Sequence, residues 1–143
     1  MARYTTTIAS KLSADEAFAY MADFSNALHW DPSVIAAART SSGAIGEGST
    51  FDLVAKFGGR NVPLGYAIVS YDEPRVVVIE SQKPSFTSRD TITVAAAGSG
   101  STVHYDALLA FKGVGRLLDP VLQLIFNRTG DKAAAGMRAA LNP

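Results

Sequence analysis

Cysteine is absent from this 143-residue chain, which removes disulfides, thiolate zinc sites, iron–sulfur clusters and cysteine nucleophiles together. Histidine is nearly as scarce: His29 and His104 are the only imidazoles, too few for an all-histidine metal site. Neither charge is in excess, since thirteen basic side chains balance thirteen acidic ones. A nucleic-acid binder needs a basic face to neutralise phosphates, so no nucleic-acid partner is expected. The same balance argues against an electrostatic anchor on anionic lipid, leaving at most a local patch. No stretch approaches the roughly 20 apolar residues that span a bilayer. Met1 to Leu12 is polar, with Thr5, Thr6 and Thr7, and lacks the apolar stretch of a signal peptide. The expectation is a cytoplasmic protein with no integral membrane segment.

What is present is enough apolar material, 48% of residues, to build a core in one domain spanning residues 1–143. Tyr4 to Lys11 reads as a first strand. Ser13-Ala14-Asp15-Glu16 is a capping box that starts a short helix through Ala17, Phe18, Tyr20 and Met21. Asp23 can cap a second short helix holding Phe24, Leu28 and Trp30, closed by Pro32. From Val34 the texture changes to strands broken by turns. Phe51, Leu53, Ala55 and Phe57 alternate with polar and smaller residues, and Val62 to Tyr71, Arg75 to Gln82 and Phe86 to Ala96 follow as further strands. Val103, Tyr105, Ala107, Leu109 and Phe111 make the apolar face of the last strand, which turns His104 and Asp106 outward.

After Gly113 and Gly115 the spacing becomes helical. Leu117, Leu118, Val121, Leu122, Ile125 and Phe126 recur at three and four residues, and Met137 and Leu141 continue the stripe. Asp119 and Pro120 read as a cap followed by proline at the first helical position. Gly130 and Gly136 are expected to bend or loosen this helix. One strand, two short helices, about six strands and a terminal helix form an α+β order whose antiparallel sheet needs its apolar face covered. Only the terminal helix is long enough to cover it, and a sheet curled around it would enclose a cavity.

In this order and spacing the chain resembles the START-like (SRPBCC) superfamily, in its polyketide cyclase/dehydrase and lipid-transport branch. The resemblance rests on Ser13 to Phe18, Asp23-Phe24, Trp30-Asp31-Pro32, the Asp72-Glu73-Pro74 turn, Asp90 to Val94 and Leu117 to Pro120. It implies a helix-grip fold, a curved antiparallel sheet wrapped around a long C-terminal helix, with a hydrophobic ligand held between them. Some members close and aromatise polyketide chains. In such aromatase/cyclases an inward arginine on the central sheet often polarises a carbonyl. Here Leu64 to Tyr71 contains no basic residue, Arg60 and Arg75 fall in turns, and Arg89 has outward parity.

The candidate ligand-binding residues are Trp30, Phe51, Tyr66, Ser88, Asp90, Tyr105, Leu109, Leu122 and Phe126, with Ile92 also inward. Trp30 reads either as a wall at the cavity mouth, which the resemblance implies, or as a core anchor. Alternation turns Ser88 and Asp90 to the apolar face. Asp90 there would hold a ligand hydroxyl or act as an acid–base group. The alternatives are a strand end that reaches solvent, a bulge, or pairing with Arg89 or Arg75. Tyr66 and Tyr105 have inward parity and are either hydrogen-bond donors to a bound carbonyl or core residues with a wet tip. Asp90, Tyr66 and Tyr105 are thus the catalytic candidates should the chain be an enzyme.

The glycine-rich pieces are not phosphate loops, since Gly43 to Gly48 lacks a lysine and opens no helix. The expected function is binding of a lipid or other hydrophobic small molecule, without catalysis and without a cofactor or metal. The alternative is a polyketide cyclase or dehydratase-like enzyme using the same cavity. A purely structural module would need an apolar outer face, which the row Thr87, Arg89, Thr91, Thr93 does not supply. The chain is expected to be a monomer or homodimer.

Overall fold

The computed structural model describes residues 1–143 throughout. β1 (Ala2–Ser10) is followed by α1 (Ala14–Ala22), a 3-10 turn at Phe24–Asn26 and α2 (Ala27–Trp30). Six strands come next: β2 (Val34–Arg39), β3 (Thr50–Phe57), β4 (Arg60–Asp72), β5 (Val76–Gln82), β6 (Phe86–Ala97) and β7 (Gly100–Phe111). A 3-10 segment, Gly113–Leu118, leads into α3 (Asp119–Ala140). The sheet runs β1-β7-β6-β5-β4-β3-β2 with every pair antiparallel. Bulges between Val34 and Ala36 and between Ile68 and Ser70 add local twist to the curl. This is the α+β helix-grip fold.

The local signals act as read. Ser13 Oγ accepts from the Glu16 amide at 3.2 Å, and the Glu16 carboxylate accepts from the Ser13 amide at 3.4 Å, closing the capping box. Asp23 accepts from the Ser25 amide at 3.2 Å and so starts the 3-10 turn, which passes directly into α2. Buried and exposed positions alternate along β6 and β7, so Ile92, Val94, Val103, Tyr105, Ala107 and Leu109 face inward.

The concave face is divided along α3. Its C-terminal half is buried at Ala133, Ala134 and Met137, with Leu141 just beyond, and packs with Phe18 and Met21 of α1 and Trp30 of α2 into a continuous core. Its N-terminal half carries larger side chains yet is only partly covered. Leu117 and Leu118 of the 3-10 segment and Val121 of α3, expected on the apolar stripe, are instead exposed, because this end overhangs the sheet and nothing covers it. The helix starts one residue earlier than expected, with Asp119 at its first position and Pro120 next. Proline needs no amide partner there.

The two glycines expected to bend or loosen α3 lie within an unbroken helix and have a packing role. A Cβ on Gly136 would sit 1.9 Å from the Trp30 carbonyl oxygen, and one on Gly130 would sit 2.4 Å from the Tyr4 ring. The glycines let α3 approach the backbone of α2 and the face of β1, a gain that outweighs about 1 kcal/mol of lost helix propensity at each. Tyr4 then donates to Asp131 at 2.8 Å, fastening the strand to the helix.

Gly136→Ala should therefore destabilise the fold by at least about 2 kcal/mol, because backbone must move to make room. Gly46→Ala, where a Cβ meets nothing within 4 Å, should change stability little. Urea unfolding of both variants checks this, and equal midpoints would refute the packing role given to Gly136.

Candidate functional site

Between the sheet and the N-terminal half of α3 lies a cavity of about 500 Å³. Its walls are mainly apolar: Leu53 and Phe57 from β3, Val62 and Leu64 from β4, Phe86 from β6, Leu109 and Phe111 from β7, and Leu122, Ile125 and Phe126 from α3. The rings of Phe57 and Phe126 meet edge to face, centroids 6.4 Å apart, so the β3–β4 hairpin and α3 touch across the opening. Lys56 and Arg60 belong to the same hairpin and line the same space, both exposed and neither in an ion pair.

The far end is polar. Tyr66, Ser88, Asp90 and Tyr105 face the cavity there, joined by Asp31 and Ser33 from the segment after α2. The Tyr66 hydroxyl and Ser88 Oγ lie 2.8 Å apart in a hydrogen bond that either can donate. These residues sit on β4 and β6, with β5 between them. The tyrosine reaches over Ser81, the β5 partner of Ser88, which is buried and has no hydrogen-bond partner of its own. Aromatic rings hold both tyrosines from behind. Phe24 meets Tyr66 at 4.9 Å and Trp30 meets Tyr105 at 5.6 Å between centroids, both edge to face.

Burial sets the electrostatics of this end. Asp90 is 5% exposed, and desolvation pushes its carboxyl up to about 7. The Tyr105 hydroxyl opposes that rise, whereas the charges of Asp31 and Asp106 add to it. Desolvation also raises Asp31, against the hydrogen bonds it accepts from the Ser33 amide at 2.9 Å and the Ser33 hydroxyl at 2.7 Å. Tyr66 and Tyr105 are raised too, chiefly by burial and next by Asp90, so both keep their protons. Near neutral pH, Asp90 can therefore either donate to a ligand carbonyl or accept from a ligand hydroxyl. No group of three or more histidine, aspartate or glutamate side chains is placed to share a metal ion.

Of the residues singled out from sequence, Tyr66, Ser88, Asp90, Tyr105, Leu109, Leu122 and Phe126 line the cavity. Trp30, Phe51 and Ile92 do not. Each is at most 1% exposed, locked in the core that fills the other half of the concave face. Trp30 is thus an anchor behind Tyr105 and no part of the mouth; its indole N–H has no hydrogen-bond partner, so packing alone holds it. Asp90 is inward on a regular strand, neither solvated nor bulged. Neither arginine pairs with it, since Arg89 Nε donates to Glu80 at 2.7 Å and Arg75 Nε to Asp72 at 3.1 Å, both on the outer surface. Arg60 is the first residue of β4 and lines the cavity, where a turn position away from it was expected.

Asp31 is a cavity residue that sequence reasoning misses. Its sequence context, Trp30-Asp31-Pro32-Ser33, reads first as a helix stop. The aspartate two residues before a serine was the available signal, because an Asx turn there points the carboxylate back over the sheet.

A family model described as polyketide cyclase / dehydrase and lipid transport matches residues 1–142. The chain belongs to this family. Its solved neighbours agree on the fold. A START superfamily protein from Mycobacterium smegmatis superposes with a TM-score of 0.79 at 15% identity, over 97% of this chain and 96% of that one. An aromatase/cyclase from a Streptomyces species has a TM-score of 0.73 at 11% identity, covering 97% and 92%. A STAR-related lipid transfer protein fragment from Xanthomonas axonopodis reaches 0.71 at 14% identity, covering 97% and 85%. None of the curated proteins is similar enough in sequence to count as a relative. Members of this family typically bind hydrophobic ligands, and no helix of the chain is long and apolar enough to cross a membrane.

The raised carboxyl of Asp90 has a signed effect on stability. The unfolded chain loses this proton near 3.8 and the folded one only near 7. Stability should therefore fall as pH rises from about 4 to about 7 and level off above, by at most about 4 kcal/mol. Asp90→Asn should lack that fall and be the more stable protein at pH 8. Urea unfolding across this range tests it, and a variant no more stable than its parent at alkaline pH would contradict the assignment.

Proposed function

We propose that this protein binds a largely apolar small molecule with an oxygen-bearing end, holding the apolar body between sheet and α3 and the oxygen at Tyr66, Ser88, Asp90 and Tyr105. The observation that carries the reading is the cavity itself: about 500 Å³ left open beneath α3 while the other half of the same face is packed solid. A hydrophobic occupant removes wall and ligand surface from water, at about 25 cal/mol per Å² before ordering costs. The polar end then selects among occupants, because Tyr66–Ser88 and Tyr105–Asp90 pair with one another and still have capacity for a further hydrogen bond that a ligand oxygen can fill and an alkane tip cannot. A lipid or a polyketide-like chain has this character, and the lipid-transport and aromatase/cyclase neighbours are compatible with either.

A second reading is proton transfer. What favours it is Asp90, a carboxyl held near neutrality beside a tyrosine hydroxyl, a suitable acid–base group for closing or dehydrating a polyketide chain. Against it stands the lack of any cation at the polar end: Lys56 and Arg60 are on the hairpin at the opening.

Native mass spectrometry of protein purified gently from its host, followed by the same sample denatured, should show a discrete extra mass that denaturation removes. Leu109→Trp, which adds bulk to the cavity wall, should weaken binding of a fluorescent probe such as anilinonaphthalene sulfonate about tenfold or more without lowering the melting temperature. Undiminished probe binding in that variant would sink the cavity reading. Asp90→Asn separates the two functions: under the binding reading it alters ligand preference, and under the catalytic one it abolishes turnover with affinity nearly intact.

A further inference from the structure

Exposed large apolar side chains are usually scattered, and here they are not. Val114, Leu117, Leu118, Val121 and Leu124 are 84%, 82%, 57%, 58% and 56% exposed, five within eleven consecutive residues. Their spacing of three or four residues places them along one side of the 3-10 segment and the first turns of α3. The adjoining face of the same turns, at Leu122, Ile125 and Phe126, lines the cavity. The bare stripe is therefore the outer lip of the cavity mouth.

The charges around it have one sign. Lys112, Arg116 and Arg128 are exposed along the stripe, and Arg116 and Arg128 take part in no ion pair. Asp119, the only acidic residue from Phe111 to Thr129, is neutralised by the Met1 amino group. Across the opening, Lys56 and Arg60 extend the same positive rim. A two-fold dimer on this stripe would set these cations against their own copies, which is unfavourable. An apolar stripe flanked by basic side chains matches instead the interface of a bilayer carrying anionic lipid, the apolar residues entering the acyl boundary and the cations meeting headgroups.

We infer that residues 112–128 form a docking surface for anionic membranes, which seats the cavity mouth against the bilayer. The overall charge of zero does not oppose this, since the attraction is local and falls off within about a Debye length, roughly 10 Å at 0.1 M salt. Docking of this kind is peripheral. Its consequence is that an apolar occupant passes between bilayer and cavity without crossing water. The surface goes beyond the cavity reading and stands independently of what the cavity holds.

The test is co-sedimentation of the full chain with vesicles of phosphatidylglycerol and phosphatidylcholine in equal parts, and with phosphatidylcholine alone. Binding should be seen to the anionic vesicles, be much weaker to the neutral ones, and fall as salt rises. Arg116→Glu or Arg128→Glu should weaken it about fivefold or more each, following the contribution of a single basic residue near such a surface. Leu117→Asp combined with Val121→Asp should weaken it at least about tenfold. That double variant should keep its melting temperature and its affinity for the cavity probe measured without vesicles, so failure of docking is told apart from failure of the cavity. Protein that stays in the supernatant with anionic vesicles overturns the inference, as does a double variant that sediments like its parent. Sedimentation equilibrium gives the remaining outcome: a parent dimer that the double variant turns into a monomer would mean that a second copy covers the stripe.

Discussion

The close contact of α3 with α2, where Gly136 lies against the Trp30 carbonyl, governs the shape of everything beneath the helix. Because no side chain separates the two backbones there, the C-terminal half of α3 settles onto the sheet and buries Met137 and the alanines around it. Gly130 repeats the device against the Tyr4 ring. Beyond that point α3 carries Phe126, Ile125 and Leu122, whose bulk holds helix and sheet apart. A clamp at one end and spacers at the other produce a wedge, and the open end of the wedge is the cavity. Packing density is therefore unequal by construction, with a solid core and a void sharing one sheet face.

The polar cluster sits at the boundary between these halves. Tyr66 and Tyr105 have their rings against Phe24 and Trp30 on the packed side and their hydroxyls on the open side. On the proposed function, this cluster is where a ligand oxygen is satisfied, since the rest of the wall is mainly apolar. It also keeps Asp90 from water, which accounts for its reluctance to ionise.

Much of this was legible in the sequence, for definable reasons. The capping box, the turn residues and the period-2 strands report local chemistry, and they located nearly every element. Alternation alone turned Tyr66, Ser88, Asp90 and Tyr105 inward, because a strand has only two faces. What alternation does not carry is depth. Phe51 and Ile92 share the inward face with Leu109, yet they lie under the packed half, and only the position of α3 along the sheet decides which inward residue meets space. Helical periodicity misled for a similar reason: it grouped Leu117, Leu118 and Val121 with the core stripe, but at a helix end that overhangs the sheet the stripe has nothing to cover it. The glycines of α3 were read by propensity, a local property, when their role is contact between distant segments.

The hydrogen bond between Tyr66 and Ser88 spans three strands, with Ser81 of the intervening strand beneath it. Because the residue under the ring is small, the tyrosine lies low and the chamber is deep. The height of the Tyr66 ring over the sheet is thus set from below, by a residue that does not itself line the cavity. A larger side chain at position 81 would lift the ring and make the chamber shallower, leaving walls, mouth and polar groups as they are.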